Sequence, residues 1–328
     1  MTTAQINPTT ASELACGLLD LEDAAARPFG AGKFSQTYLV QTDSAEYVLR
    51  IAPPDSLRQL FYEYRMMRQE PQIHRLIAER TDVPIPTILA HDFSRERIDR
   101  DYLIMNRVPG RAMSQVAGQL TPSQTMAVLT ELGRCVAKLH AVRIDRHGYV
   151  GPHEPMPPQP TWPEAFAIMW AKLIDDCVRC GVYTEDDRTL AMRLLDEHRD
   201  AFDPATPAAL CHMDLWVANV LVDEGRFSAL FDFDRACYGD RENDLAVAEY
   251  CGLTREPFWQ GYTEAGGRLP EPSREQAVRR LFYLLYEHAK YIVISISPRR
   301  NDPPRAHRYA NDCRGAMTHF AQTGEPVF

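Results

Sequence analysis

The chain has 328 residues, of which 45% are hydrophobic and 25% charged, with a net charge of −9; this length suggests two lobes or domains rather than a single core. The acidic balance argues against a nucleic-acid partner, which asks for a basic face. No apolar run nears the ~20 residues of a membrane span and the first residues lack a basic-then-apolar leader, so no membrane role is expected and the cytoplasm is the expected compartment.

From the N-terminus, the spacing of apolar residues predicts a short helix over 11–21, packed outside the first lobe. Gly30-Ala-Gly32-Lys33-Phe-Ser35 follows, between strand-like apolar runs. Two glycines in a tight turn let backbone N–H groups approach phosphate oxygens, and Lys33 and Ser35 add side-chain contacts; a plain hairpin turn is the other reading. Residues 46–51, Glu-Tyr-Val-Leu-Arg-Ile, read as a strand carrying Arg50. A helix is expected through 57–77 with Glu63 and Glu70 on it, and Pro71 either kinks that helix or restarts it at its first position. The prolines at 84 and 86 mark an extended link into the last strands of a small β-rich lobe, and Tyr102 to Asn106 is an apolar strand that turns at Val108-Pro109-Gly110.

Beyond this point helical spacing dominates. Val128, Leu132, Val136 and Leu139 define a helix over 120–141 that ends at a packed His140. Six prolines lie between 152 and 163 and read as a linker. Residues 162–202 are helical and locally acidic, a helical run covers 279–296, the prolines from 298 to 304 break it, and a last helix spans 306–322. The eight cysteines are scattered; Cys177 and Cys180 are the only close pair and lack the second pair that a zinc site needs, so all eight read as reduced thiols, mostly buried.

The chemistry concentrates in 211–234. Apolar residues bracket His212, Asp214 and Asn219, and a hairpin later comes Phe231-Asp232-Phe233-Asp234. The order H-x-D-x-x-x-x-N, hairpin, D matches magnesium-assisted phosphoryl transfer: one Asp accepts the proton of the attacking hydroxyl, and an Asn with a second Asp holds the metal on the nucleotide phosphates. Mg²⁺ is a hard cation that takes a few protein oxygens plus phosphate, so Asn219 and Asp232 suffice as ligands.

This segment is similar to the catalytic loop of the aminoglycoside phosphotransferase and choline kinase-like enzymes, small-molecule kinases with the protein-kinase fold. The family's H-G-D is here His212-Met213-Asp214, and Asp232-Phe-Asp-Arg-Ala followed by Gly239-Asp240 and Asp244 resembles the family's continuation. The resemblance implies an α+β, bilobal protein-kinase-like fold: a small β-rich N-lobe over 1–107 that binds nucleotide, and a larger, mostly helical C-lobe over 108–328 with the catalytic loop and the acceptor-binding region. It makes Asp214 the catalytic base and Asn219 and Asp232 the metal ligands. The nucleotide side then falls to Gly30, Gly32, Lys33 and Ser35 in the phosphate loop, to Arg50 where a protein kinase has its phosphate-pairing lysine, and to Asn106 and Val108 at the adenine hinge, with Met105 behind the base. His212 supports the loop on that side. Glu70 fits the spacing of the glutamate that pairs with Arg50 better than Glu63 does. Asp234 is expected as a structural partner held by Arg235, and Asp240 and Asp244 as fixing the loop that follows.

The function implied is phosphorylation of a small-molecule hydroxyl with Mg²⁺ and ATP or GTP. An aminoglycoside or other antibiotic is the first expectation for the acceptor, with the acidic residues of 162–202 available to hold ammonium groups. A metabolic acceptor such as choline, homoserine or an amino sugar is the alternative. Trp162, Trp170, Tyr183 and Trp259 are available for an aromatic cage that would favour choline. From a different class, the departures at Arg50 and Met213 leave open a nucleotide-binding pseudokinase with a regulatory role.

Overall fold

Alternation of side chains along the N-terminal strands decides what faces the cleft. The computed structural model describes residues 5–30, 35–203 and 205–328. It opens with helix α1 (Pro8–Leu19), which the Asn7 side chain caps by accepting from Thr10 N–H. Strands β1 (Ala25–Pro28), β2 (Gln36–Gln41) and β3 (Glu46–Ile51) follow, then helix α2 (Glu70–Arg80), and strands β4 (Ile88–Asp92) and β5 (Tyr102–Asn106). These strands form one antiparallel sheet in the order β1-β2-β3-β5-β4. Tyr38, Val40, Leu49, Ile51, Tyr102 and Ile104 share a face and pack on Ala11, Leu14 and Ala15 of α1. Because strand side chains alternate, the residues between them point the other way. Val48, Leu103 and Met105 form a second apolar cluster, and Arg50, in register with Thr37 and Leu103, emerges beside it toward the cleft.

The helix expected through 57–77 does not form as one piece. Short 3₁₀ turns at Phe61–Glu63 and Met66–Gln69 are separated by Arg65 in the left-handed region (φ 54°), and the α-helix proper begins at Glu70 with Pro71 in its first turn. Proline has no N–H to leave unsatisfied there and its fixed φ suits the start of a helix, so it restarts the helix rather than kinking it.

The chain leaves the five-stranded sheet after β5. Strand β6 (Arg111–Ala112) pairs with β8 (Val220–Asp223), which in turn pairs with β9 (Arg226–Leu230); helix α3 (Met113–Val116) follows β6, then α4 (Pro122–Ala141), α5 (Trp162–Arg179) and α6 (Glu185–Glu197). Strands β7 (Ala209–Cys211) and β10 (Cys237–Gly239) pair with each other and bracket the catalytic segment. Helices α7 (Arg241–Tyr250), α8 (Glu256–Glu264), α9 (Arg274–Ile296) and α10 (Pro303–Thr323) complete the chain. A sheet-bearing N-terminal part and a helical C-terminal part give the mixed α+β architecture. We propose the division between them at 107/108, since Arg111 is already in register with Val222.

Two cores support the site from below. One joins α5, α6, α9 and α10 through Trp162, Phe166, Trp170, Phe282 and Phe320; the other joins α4, the β8–β9 hairpin, α7 and α8. Helices α4 and α8 cross at Gly133 and Gly261, where an added Cβ would lie 2.1 Å from the Phe258 carbonyl oxygen and 1.9 Å from the Thr130 carbonyl oxygen. No helix among the described residues is long and apolar enough to cross a membrane. All eight cysteines are unpaired, and Cys177 and Cys180 fall on and just after α5.

Candidate active site

The catalytic segment runs from β7 to β8 as a loop whose shape is set by one buried carboxylate. Asp244, on α7, accepts from the backbone N–H groups of His212 (2.6 Å) and Met213 (2.7 Å), and its Oδ2 lies 3.2 Å from His140 Nε2. His140 Nδ1 faces the Tyr262 hydroxyl at 2.9 Å. Asp244 was expected to fix the loop after the motif; it holds the catalytic loop itself. His140, Cys211 and Asp244 come within 4.8 Å of one another, but these hydrogen bonds already occupy the His and Asp, so the cluster is scaffolding rather than a metal centre. Met213 has φ 64°, and this explains the family's glycine: the position needs a left-handed backbone, which glycine adopts freely. The methionine side chain is buried in the helical core.

Asp214 receives four donors. Arg235 Nη1 (2.8 Å) and Lys290 Nζ (3.3 Å) approach Oδ1; Asn219 Nδ2 (2.9 Å) and Trp216 Nε1 (3.2 Å) approach Oδ2. Burial alone would raise its pKa, but Lys290 and then Arg235 hold the carboxyl well below the usual range, so it is ionised at neutral pH. Asn219 also donates to the Asp214 carbonyl oxygen at 2.9 Å, which fixes the spacing of the two motif residues. Arg235 was expected to hold Asp234; it holds Asp214, because the turn after Asp234 carries the guanidinium across to the loop, where its edge reaches Asp214 while it stacks 5.3 Å from the centre of the Tyr62 ring.

Above this lies an Arg50 hub. Arg50 Nη1 meets Glu70 Oε2 at 2.5 Å, and Nη2 meets Asp232 Oδ1 at 2.8 Å and Asp234 Oδ2 at 3.4 Å. Glu63 is not the partner: it accepts from Gln59 and Leu60 N–H instead. Burial would depress the Arg50 pKa, but Glu70, Asp232 and Asp234 more than reverse that. Burial pushes Glu70 up to about 7 despite Arg50, and pushes Asp234 well up. The Asp232 side chain is 35% exposed against 10% for Asp234, so Asp232 is the carboxylate an ion in the cleft can reach. Asn219 directs its amide nitrogen to Asp214, leaving Oδ1 as its oxygen donor. Two hard oxygens from Asn219 and Asp232 on one cleft suit Mg²⁺, which completes its shell with phosphate and water.

The cleft between the lobes has a volume of about 650 Å³. Gly30, Ser35, Arg50, Met105, Asn106 and Val108 line it, as do Asp214, Asn219 and Asp232. Gly32 and Lys33 lie outside the described residues. Glu70 is fully buried behind Arg50. Asn106 donates its N–H to the Thr87 carbonyl (3.1 Å), and its side-chain oxygen accepts from Thr87 N–H (2.6 Å), so its amide N–H is taken, while Asn106 and Val108 both line the cleft. His212, grouped with the nucleotide residues from its place in the motif, does not reach the cleft: it is wholly buried, with Nε2 3.0 Å from the Phe231 carbonyl oxygen.

The acidic residues of 162–202 do not reach the cleft either. Asp187 pairs with Arg314 and Asp175 with Arg188, while Asp176 accepts from Phe61 N–H and pairs with Arg179. Trp162, Trp170 and Tyr183 are core residues and Trp259 packs on the α4–α8 core, so they form no cage at the site. Residues that sequence reasoning missed take their place: Trp216 from the loop, Tyr62 from the 3₁₀ turn, and Lys290, Tyr291, Ile294 and Arg300 from α9 and its end. The aromatic at 216, inside the motif itself, was the one available signal.

The model of the family described as phosphotransferase enzymes matches residues 25–281. A probable ketoamine kinase of Vibrio parahaemolyticus is 24% identical over 261 residues, 77% of this chain and 82% of that protein. A homoserine kinase of Gluconobacter oxydans is 28% identical over 176 residues, 52% of this chain and 50% of that one. A thermostable mutant of aminoglycoside phosphotransferase APH(4)-Ia, solved in ternary complex with ADP and hygromycin B, superposes with a TM-score of 0.65 at 19% identity, covering 94% of this chain and 97% of that one.

Proposed function

The chain belongs to the phosphotransferase enzyme family and is a small-molecule kinase; from that premise we propose that it transfers the terminal phosphoryl group of ATP or GTP, with Mg²⁺, to a hydroxyl of a small metabolite. The observation that carries this reading is the convergence of Asp214, Asn219, Asp232 and the Arg50–Glu70 pair on one cleft. A pseudokinase would not need an intact base, two oxygen ligands and a formed ion pair together.

Asp214 accepts a hydrogen bond from the acceptor hydroxyl and takes its proton as the bond to phosphorus forms. Its low pKa suits a loose transition state, in which little base strength is required and orientation matters most. Lys290 and Arg235 fix the carboxylate and stabilise charge growing beside it. Arg50, held by Glu70, stands where the phosphates pass, and Ser35 and Gly30 border them. Val108 offers the hinge amide, and Val48, Met105, Leu221 and Phe231 border the base. Asn219 and Asp232 would hold the Mg²⁺, which when bound neutralises phosphate charge. Eight unpaired thiols suit a reducing compartment, and the cytoplasm is our proposed location.

For the acceptor, a metabolite ranks ahead of the antibiotic first expected from the resemblance. None of the carboxylates that were to grip ammonium groups lines the cleft, and Asp175, Asp176 and Asp187 are each held by an arginine. The test is Mg²⁺-dependent nucleotide consumption with ATP and GTP across aminoglycosides, choline, amino sugars, homoserine and ketoamines. Turnover that persists in Asp214→Asn would refute the mechanism; an aminoglycoside as the sole acceptor would restore the antibiotic reading.

A further inference from the structure

The acceptor end of the cleft is furnished with cations. Arg235 is 7% exposed and borders the cleft, and among the described residues its Nε and Nη2 have no hydrogen-bond partner. Its Nη1 is on Asp214, and Nη2 is 3.7 Å from Glu287 Oε2. Lys290 is 2% exposed, lines the same space, contacts Glu287, and has its ammonium 4.5 Å from the centre of the Tyr291 ring. Arg235 and Lys290 are balanced by Asp214 and Glu287, so this inner quartet is neutral. The surplus comes from Arg300 at the mouth, an exposed residue whose side chain makes no ion pair among the described residues. The remaining carboxylate at this end, Glu63, is turned away onto the N–H groups of Gln59 and Leu60.

A buried guanidinium with unused N–H groups is costly unless something accepts from it. Here it sits beside the reacting carboxylate, where the acceptor must lie. A polycationic acceptor would bring further positive charge against Arg235, Lys290 and Arg300. An anionic one would satisfy the open donors, and a planar carboxylate matches the guanidinium fork.

We propose that the acceptor carries a carboxylate besides the hydroxyl that is phosphorylated, and that Arg235 and Lys290 receive this carboxylate while Arg300 draws it in. The proposal rests on the kinase reading above and specifies its substrate class as a small hydroxylated carboxylate. Arg300 is the specificity residue at the mouth, remote from the hydroxyl proton.

The experiment uses the full-length protein with Mg²⁺-ATP and matched acceptors: homoserine beside 3-aminopropan-1-ol, which is homoserine without its carboxylate, and fructosyl-glycine beside N-fructosyl-methylamine, with hygromycin B as the cationic comparison. The expected result is that at least one carboxylated acceptor exceeds its counterpart by about 100-fold in kcat/KM, as loss of charge-assisted bonds to buried donors implies. Arg300→Glu, a surface change that leaves folding intact, is expected to raise KM for the carboxylated acceptor by roughly 10-fold or more through charge repulsion, with kcat and nucleotide KM within about twofold. Equal or better turnover of the counterparts, or turnover of hygromycin B alone, overturns the carboxylate and leaves the kinase standing. No turnover of any acceptor overturns the substrate class, and Mg²⁺-dependent nucleotide binding then separates that failure from failure of the kinase reading itself: binding retained spares it, binding absent ends it.

Discussion

Replacing Asp214 with Asn tests catalysis and architecture together. The carboxylate accepts on both oxygens, from Arg235 and Lys290 on one and from Asn219 and Trp216 on the other. An amide has a single acceptor oxygen, so whichever way it is turned its NH₂ group opposes two donors. Turnover is expected to fall by about 10²–10⁴-fold, the range for removing a positioned general base. Nucleotide KM should change little, since Asn219, Asp232 and Arg50 are untouched. Stability should fall toward the lower end of the ~3–5 kcal/mol for breaking a buried ion pair, because Glu287 still faces both cations. The pH dependence has a definite sign. The folded carboxyl lies below its ordinary 3.8, so its contribution is present above pH 3.8 and is lost as pH falls through the lower folded value. Wild type should therefore lose stability on acidification more steeply than the variant. Steady-state kinetics by ADP release and urea melts from pH 7 to pH 2.5 measure both effects. Undiminished kcat, or identical acid limbs, would refute the reasoning.

Other outcomes follow from the same geometry. Asp244→Asn opposes one of two backbone N–H groups that position Asp214, so kcat should drop roughly 10–100-fold at near-constant nucleotide KM, with ~2–4 kcal/mol lost in urea melts. Gly261→Ala drives a Cβ to within 1.9 Å of the Thr130 carbonyl oxygen; about 1–3 kcal/mol of destabilisation is expected from overpacking, with kcat retained below the melt. Burial of Glu70 raises its pKa from 4.5 to about 7. The folded state therefore holds the proton more tightly, and this contribution is fully present below pH 4.5 and disappears as pH rises through 7. Glu70→Gln should flatten that part of the stability–pH profile in the nucleotide-free protein, and a profile identical to wild type would count against the assignment.

The parts of this molecule legible beforehand were those set by local pattern. The strand that carries Arg50 and the helical period of α4 each depend on neighbours within a few positions, and both elements form where the pattern puts them. What could not be read depends on side chains brought from far along the chain. Lys290 reaches Asp214 across 76 residues, and on α9 it occupies one position of a mostly buried helix, indistinguishable by period from its neighbours. The acidic run of 162–202 misled for the same reason: composition gives the charge but not the arginine 127 residues away that takes up Asp187. At the expected hinge, the Asn106 N–H is captured by Thr87, a partner 19 residues back that the strand pattern does not reveal.

Met213 and Asp232 break a local conformational rule at the site itself. Both are non-glycine residues in the left-handed region, at φ 64° and 70°, where an L-residue is disfavoured by roughly 1–2 kcal/mol. They flank the two functional strand ends, so the strain sits where Asp214 and Asp232 must project into the cleft. At 213 the conformation is held by the Asp244 bond to its N–H and by burial of the side chain to 2% exposure, and removing a buried methionine side chain typically loses ~2–5 kcal/mol. Packing therefore outweighs strain at this position. Met213→Gly should relax the backbone yet lower stability by about 1–3 kcal/mol while preserving kcat. A more stable glycine variant would mean that the methionine does not compensate for the conformation it occupies.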